Sequence, residues 1–556
     1  MKVIHKDVVV IGSGISGLMC SIRAKERGLN VLVVSKEPIS WGNTRISGGI
    51  IASNEFDKQL FIEDVLNAGR KINQFDLVDL IINKLPNEVE TLEQWGHTFL
   101  RSKNEPDKKE YVQPGGHSEP RTLKALNRGI SISNTLKQKF ISLDIDVLEE
   151  VLAVNVLVQE KQIAGVLCYD WKNDEWFGVN AGAVVLACGG AGMIYYPHTD
   201  NMRSATGDGY ALGLRAGAKL IDMEQIQFIP FGIVSPRGMR GLEVGDTSAA
   251  GPYGKLVNQK GEVIEDRPFN KTREEISRLI AIEIEKGNGT PNGGIWLDPT
   301  ENLEHKDGME NWHHWRSIGT TDTIRNAYGV KASKWEEKYE VSPTQHYVMG
   351  GLHVNTFGET QIQGLYAVGE NASGFHGAGR IGSMSLFEAL TFSAHVGNNI
   401  RLRGKKMTLT KQDFINERDI MMTAYEGVNE AHPVVLKKEL GMMMWQYCGV
   451  IRSEEKIETL LHGIHELEES VKKMKVNFHG NNDFFLHLFE LESMLLTSKA
   501  VAISSLMRKE SRGSHYRSDF PSENLWWENK NIIVFNEGDE LKAELMPNEQ
   551  HYDLRQ

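Results

Sequence analysis

The chain has 556 residues, 40% of them hydrophobic and 24% charged, too long for one core and ordinary in composition for a globular protein. A net charge of −12 with no basic tract argues against a partner held by a phosphate backbone, so no nucleic acid is expected. The four cysteines, Cys20, Cys168, Cys188 and Cys448, stand far apart without a CxxC pair; no zinc or iron–sulfur ligation within the chain is expected, only buried free thiols.

The N-terminus runs into a strand within six residues, leaving no room for a signal peptide, and its short apolar runs cannot span a bilayer. A cytoplasmic protein is expected, and peripheral docking on a membrane complex is compatible with that. Asp7 to Ile11 is a continuous apolar, β-branched run, as a strand buried on both faces requires. Gly12-Ser13-Gly14-Ile15-Ser16-Gly17 follows, then a helix through Arg27, a stop at Gly28 and a second strand from Val31. This is a dinucleotide fingerprint in its required βαβ setting. Gly12 allows the tight turn, Gly14 lets backbone approach a pyrophosphate, and Gly17 lets helix pack on strand. The helix N-terminus offers free N–H groups and a positive dipole end to phosphate. The second strand ends Val34-Ser35-Lys36-Glu37, so Ser35 or Glu37 must meet the ribose, which weakens a nicotinamide reading more than a flavin one.

Residues 183–192 (AVVLACGGAG), containing Ala187 and Gly189, read as another buried strand and glycine turn, leading to Thr206-Gly207-Asp208-Gly209 and a short helix. A third strand, 364–370 (GLYAVGE), carries Glu370 at its carboxyl end. Ligands of open α/β sheets sit at such ends, so the three segments predict one binding domain built from both halves of the sequence. Between them, about 229–343, the chain is rich in Gly, Pro, Trp and charge, with one clear helix at 272–285 opened by Thr272 as N-cap. From about 408 the spacing is helical, as in 455–473, and the Met-rich 440–445 stretch reads as helix core. The tail after Pro521 is polar and reads as a surface extension.

The runs 342–351 (SPTQHYVMGG), 364–370 and 375–387 (FHGAGRIGSMSLF) resemble the flavoprotein subunits of fumarate reductase and succinate dehydrogenase, and L-aspartate oxidase. The same order continues in 206–209, 224–228 (EQIQF) and 506–521 (LMRKESRGSHYRSDFP), so the likeness spans roughly residues 5 to 521. It implies an α/β fold: a Rossmann-like FAD-binding domain (1–228 and 344–407) with an inserted α+β capping domain (229–343), a C-terminal helical domain (408–520) and an extension (521–556). FAD is then expected at the glycine loop (Gly12, Gly14, Ser16, Gly17), at Ser35 and Lys36, at Ala187 and Gly189, at Asp208 and Glu370, and at Arg380, Ser385 and Leu386. The segment 40–49 (SWGNTRISGG) adds Gly42, Thr44, Gly48 and Gly49. Members that link FAD to a histidine do so in this segment; Gly42 stands in that place, so the flavin is expected to be non-covalent.

The resemblance also implies hydride transfer between flavin N5 and a small carboxylated substrate, with His346 and Arg380 binding carboxylate and Arg273 of the capping domain as the acid. Planar guanidinium suits such a clamp, but its pKa above 12 makes electrostatic stabilisation much of the Arg273 role. Four family positions depart. Where the pattern reads QxHPTG, this chain has Gln227-Phe228-Ile229-Pro230-Phe231-Gly232, which makes that end of the pocket apolar. The acidic and basic relay positions of the TEGxRGEGG segment fall on Thr247 and Ala250, so no ionisable relay is expected. One carboxylate clamp with an apolar far end predicts reduction of an activated C=C bond in a substrate other than fumarate. Other readings are an adenylylsulfate reductase-like α subunit, an amino-acid or hydroxy-acid oxidase or dehydrogenase, and a flavin subunit that only relays electrons. The last needs none of Arg273, His346 and Arg380. With no cluster ligands in the chain, a separate iron–sulfur or other electron-transfer subunit is a candidate partner.

Overall fold

The computed structural model describes residues 1–102, 105–402, 408–423, 431–474, 482–538 and 540–548. Its central sheet has seven strands. In order across one path these are Asp146–Glu149, Val31–Ser35, Lys2–Ile11, Glu175–Leu186, Gln162–Asp170 and Val151–Gln159, with Leu365–Ala367 added against Glu175–Leu186. The pairs around Lys2–Ile11 are parallel, with Val8 opposite Val31 and Ala183. Leu365–Ala367 runs parallel to residues 184–186, so the strand expected near 364–370 lies beside the one expected near 183–192. Both halves of the sequence thus build one sheet, and their carboxyl ends open on one side.

The helix Ile15–Glu26 covers this sheet and meets the helix Met384–Asn399 closely: a Cβ on Gly397 would stand 2.5 Å from the Cys20 carbonyl oxygen. The cysteines are free thiols, three of them buried. Burial pushes the Cys20 and Cys188 thiols up to about 12, which keeps them protonated and unreactive.

A second sheet of six antiparallel strands forms the capping domain, in the order Glu243–Gly245, Ile226–Ile233, Tyr339–Val348, Ile295–Asp298, Lys255–Val257, Val263–Asp266. It has its own core around Phe231, Leu256, Ile276, Trp335 and Val341. The expected boundaries at 228/229 and 343/344 fall inside Ile226–Ile233 and Tyr339–Val348, which pair with each other and carry the chain in and out of the cap. The helix Arg273–Glu285 starts on a full capping box. Thr272 Oγ1 accepts from the Glu275 N–H at 3.2 Å, and Glu275 Oε2 accepts from the Thr272 N–H at 2.8 Å. That box fixes Arg273 as the first helical residue.

Helices Pro433–Cys448, Glu454–Lys472 and Asn482–Met507 pack on one another to form the helical domain. Of the Met-rich stretch, Met444 is buried while Met442 is 59% exposed, so only part of it is core. The domain is tied to the FAD-binding part by a buried ionic cluster in which Arg508 Nε donates to Glu224 Oε1 at 2.6 Å. The tail is no surface extension. Lys530–Glu537 and Glu540–Pro547 form a hairpin that adds to Leu220–Ile221 and Gly351–Leu352, burying Asn531, Ile532 and Val534. Its continuous Ile-Ile-Val-Phe run carried the strand signal that its charged neighbours obscured; residues 549–556 lie outside the described residues.

Candidate active site

At the carboxyl ends of the parallel strands, a cavity of about 510 Å³ runs from the glycine loop to the underside of the capping domain. Gly12 has φ of +108°, and a Cβ there would lie 2.2 Å from the Ala187 carbonyl oxygen. A Cβ on Gly17 would lie 2.0 Å from the Gly12 carbonyl oxygen. A Cβ on Gly14 would meet only Thr44 Oγ1, at 4.0 Å, so backbone there is open to the cavity. The loop is therefore shaped to bring N–H groups against a diphosphate. Gly12→Ala is expected to yield protein without flavin and with a lowered Tm, because both φ and contact forbid the methyl group. Stoichiometric flavin absorbance with an unchanged Tm would contradict this reading of the loop.

Glu370 is half-buried just after Leu365–Ala367, and one carboxylate oxygen accepts from the Val348 N–H at 2.9 Å. Burial raises its pKa to about 7. Gly190 makes room for it, since a Cβ there would lie 2.1 Å from Glu370 Oε1. Lys36 donates to Asp208 Oδ2 at 2.7 Å and to Glu490 Oε1 at 3.0 Å, so it holds the wall together from two domains. Ser35 shares a hydrogen bond with Ser13 at 2.8 Å, and Ser35 and Glu37 both stand in the cavity wall. A dinucleotide flavin fits this donor set and length of cleft.

Towards the cap, two arginines and a histidine converge. Arg380 is buried. Its Nε donates to Gln227 Oε1 at 2.9 Å, its Nη1 to the Ile381 carbonyl at 3.3 Å, and its guanidinium lies 5.1 Å from the centre of the Tyr347 ring. No carboxylate pairs with it among the described residues. Burial, with the nearby Arg273, lowers its pKa to about 10, so it remains charged at neutral pH. Arg273 Nη1 donates to the Arg380 carbonyl at 3.1 Å, and its Nη2 meets Asp246 Oδ2 at 2.7 Å. Burial would raise the Asp246 carboxyl, but the Arg273 guanidinium outweighs it and holds the pKa below the usual carboxylate range. His346 Nδ1 meets Asp200 Oδ2 at 2.6 Å. Burial draws the imidazole pKa down, and the Asp200 carboxylate more than reverses this, leaving it raised.

The sign of that shift gives a pH prediction. A raised imidazole pKa preserves the cation, and any carboxylate binding that depends on it, below that pKa; binding weakens as pH rises through it. Asp200→Asn removes the charge that raises the pKa. The alkaline rise of KM for an anionic substrate is expected to begin about one pH unit or more lower in the variant. Superimposable pH profiles of the two proteins would contradict a charged role for His346.

The FAD binding domain family matches residues 7–386, and the fumarate reductase flavoprotein C-terminal family matches 437–550. A CoM/CoB fumarate reductase chain of Methanothermobacter marburgensis is 32% identical over 551 residues, covering 95% of this chain and 97% of that one. The chain belongs to the fumarate reductase/succinate dehydrogenase flavoprotein family. It is an FAD-dependent oxidoreductase of that family. L-aspartate oxidase of Bacillus subtilis is 30% identical over 550 residues, 97% of this chain and 95% of that one. Among solved structures, Mycobacterium smegmatis Sdh1 in complex with UQ1 superposes with a TM-score of 0.87 at 30% identity, covering 100% of this chain and 96% of that one. The FrdA chain of Escherichia coli quinol fumarate reductase gives 0.88 at 25%, covering 99% and 98%. Adenylylsulfate reductase of Archaeoglobus fulgidus shares the fold, at 19% identity.

Of the residues expected in this flavoprotein's site, all but Gly17, Phe231 and Thr247 line the one cavity, Ile229, Ser385 and Leu386 included. Two of those three require correction. Phe231 is fully buried in the capping-domain core, because a register irregularity after Ile229 turns it away from the cavity. Thr247 is also buried; the acidic group expected to be missing there is supplied one residue earlier, by Asp246. An ionisable pair with Arg273 therefore exists, and the offset arises because Asp246 caps the short turn Thr247–Ala250 with its own carboxylate. Asp200, Glu243, Arg128 and Trp315 also line the cavity without having been expected. His346 is the sole histidine among the lining residues.

Proposed function

We propose that this flavoprotein reduces the activated C=C bond of a small unsaturated carboxylate that carries one carboxylate clamped by the protein, with non-covalent FAD. The observation that carries the proposal is Arg380, a buried cation beside Arg273 and His346 that has no carboxylate partner among the described residues and faces the cavity. An uncompensated buried cation is costly, and a bound carboxylate removes that cost. Ile229, Leu242 and Trp315 also line the cavity and offer it apolar wall, with Arg128 the one further arginine among the lining residues.

When bound, FAD supplies the hydride. The chain's own groups do the rest. Arg380, locked by Gln227 and Ser385, orients the carboxylate; His346 is held by Asp200 through Nδ1, which leaves Nε2 free to donate to it. Arg273, fixed by the capping box and Asp246, places positive charge where the neighbouring carbon takes up its proton, and the Asp246 contact offers a path by which a proton returns. The cap's residues Ile229, Leu242 and Glu243 form part of the wall of this region.

The M. marburgensis relative is named for fumarate, and Asp246 restores a relay that a fumarate reductase would use, which favours fumarate as the second reading. Non-covalent attachment rests on Gly42 and on the lack of any lining histidine other than His346. Electrons are proposed to arrive from a separate electron-transfer subunit docking on the helical domain, since the four cysteines are dispersed free thiols. No helix among the described residues is long and apolar enough to cross a membrane.

The test is steady-state turnover with a reduced viologen dye and a panel of fumarate, unsaturated monocarboxylates, adenylylsulfate and oxygen. The saturated monocarboxylic acid as product supports the proposal. Sulfite release from adenylylsulfate overturns it, as does peroxide formed under oxygen when an amino or hydroxy acid replaces the dye as electron donor.

A further inference from the structure

One carboxyl group in the cavity is left over by the reaction just described. Glu243 opens the strand Glu243–Gly245 at the edge of the capping sheet, opposite Gly232 on the strand that also carries Ile229. Its carboxylate, the Asp200 carboxylate and the His346 ring present atoms all within 4.8 Å of one another. Asp200 is engaged with His346 Nδ1, and Asp246 with Arg273. The Glu243 side chain makes no hydrogen bond or ion pair among the described residues, although burial raises its pKa, with His346 the main opposing influence. Around it stand Arg273, Arg380 and the His346 ring against Asp200, Asp246 and Glu370, with Arg128 also in the cavity wall, so the carboxylates already present face these basic groups. A monocarboxylate adds one negative charge there. A dicarboxylate adds two, and one must lie near an unpaired glutamate.

We infer that Glu243 is a specificity-determining residue: it receives a hydrogen-bond donor, a hydroxyl or an ammonium, carried by the far end of the substrate, and it turns away a second carboxylate. This rests on the reading of Arg380 as the clamp for the first carboxylate. A hydrogen bond to a charged acceptor provides about tenfold or more discrimination, and like charges placed together penalise the wrong ligand as strongly.

The test uses the oxidised holoenzyme and four unsaturated acids that differ only at the far carbon: crotonate, 4-hydroxycrotonate, 4-aminocrotonate and fumarate. Binding is read as perturbation of the flavin absorbance, without turnover. Wild-type protein is expected to bind one or both donor-bearing acids about tenfold or more tightly than crotonate, and fumarate most weakly. Glu243→Gln removes the charge at constant shape and is expected to improve fumarate binding about tenfold while weakening 4-aminocrotonate by a similar factor. Glu243→Leu is expected to level 4-hydroxycrotonate with crotonate. Which donor-bearing acid gains more in wild type separates ammonium from hydroxyl. An unchanged order of the four acids in both variants, with flavin content and Tm retained, overturns the inference while leaving the clamp intact. Tight fumarate binding kept in Glu243→Gln but lost in Glu243→Leu would also overturn it, since Glu243 would then be a neutral donor to carboxylate. Failure of all four acids to bind wild-type protein overturns the clamp as well.

Discussion

Arg380→Gln is expected to lower kcat/KM for the carboxylated substrate by about 10²- to 10³-fold, with flavin content retained. Removing one partner of a buried charge pair costs about 2–5 kcal/mol, and each 1.4 kcal/mol is tenfold. Glutamine keeps a donor toward Ile381 and Ser385 but loses the charge that a carboxylate would meet. Arg380→Lys should recover little, because the fork that spans Gln227 and the cavity becomes a single point donor. The check is steady-state kinetics alongside thermal unfolding of the flavin-loaded protein. A tenfold or smaller loss, with Tm unchanged, would mean that another cation binds the carboxylate.

Asp246→Asn is expected to reduce kcat by about 10²-fold while changing KM by threefold or less. The carboxylate touches Arg273 and not the substrate cations, so its removal should act on the proton-transfer step and not on binding. Arg273→Gln should be at least as severe. Because Asp246 titrates below the usual carboxylate range, its pairing with Arg273 stabilises the fold above the unfolded carboxylate pKa near 4 and is lost as pH falls through the folded value. The Tm difference between Asp246→Asn and wild type should therefore shrink toward acid pH. Equal kcat values for the two proteins would remove this pair from the reaction.

Much of the fold was legible because it is written in local patterns. The apolar run before Gly12, the glycine spacing to Gly17 and the Thr272-to-Glu275 box each carry their geometry within a few residues. The terminal hairpin was not, because its strand signal is a short run whose partner, Leu220–Ile221, lies some 310 positions away. Arg273, His346 and Arg380 could be placed from the motifs around them. Asp246 was hidden by a shift of one position, a distance that sequence spacing does not resolve where a turn intervenes. Asp200 and Glu243 belong to no motif that the sequence offers; only the pairing of Ile226–Ile233 with both Glu243–Gly245 and Tyr339–Val348 brings Glu243 towards His346. Phe231 failed for the opposite reason, since the irregularity after Ile229 breaks the alternation that would have kept it beside the cavity.

The most direct test of a single carboxylate clamp is anaerobic stopped-flow reoxidation of the reduced flavin, followed at its absorbance band, with crotonate-type monocarboxylates and fumarate at matched concentrations. Reoxidation faster by tenfold or more with a monocarboxylate is the predicted result, and it would make Ile229 and Glu243 the features that set the far end of the substrate. Reoxidation by fumarate at a comparable or higher rate would contradict it, and would show that the cavity holds a second carboxylate despite Ile229 and Glu243.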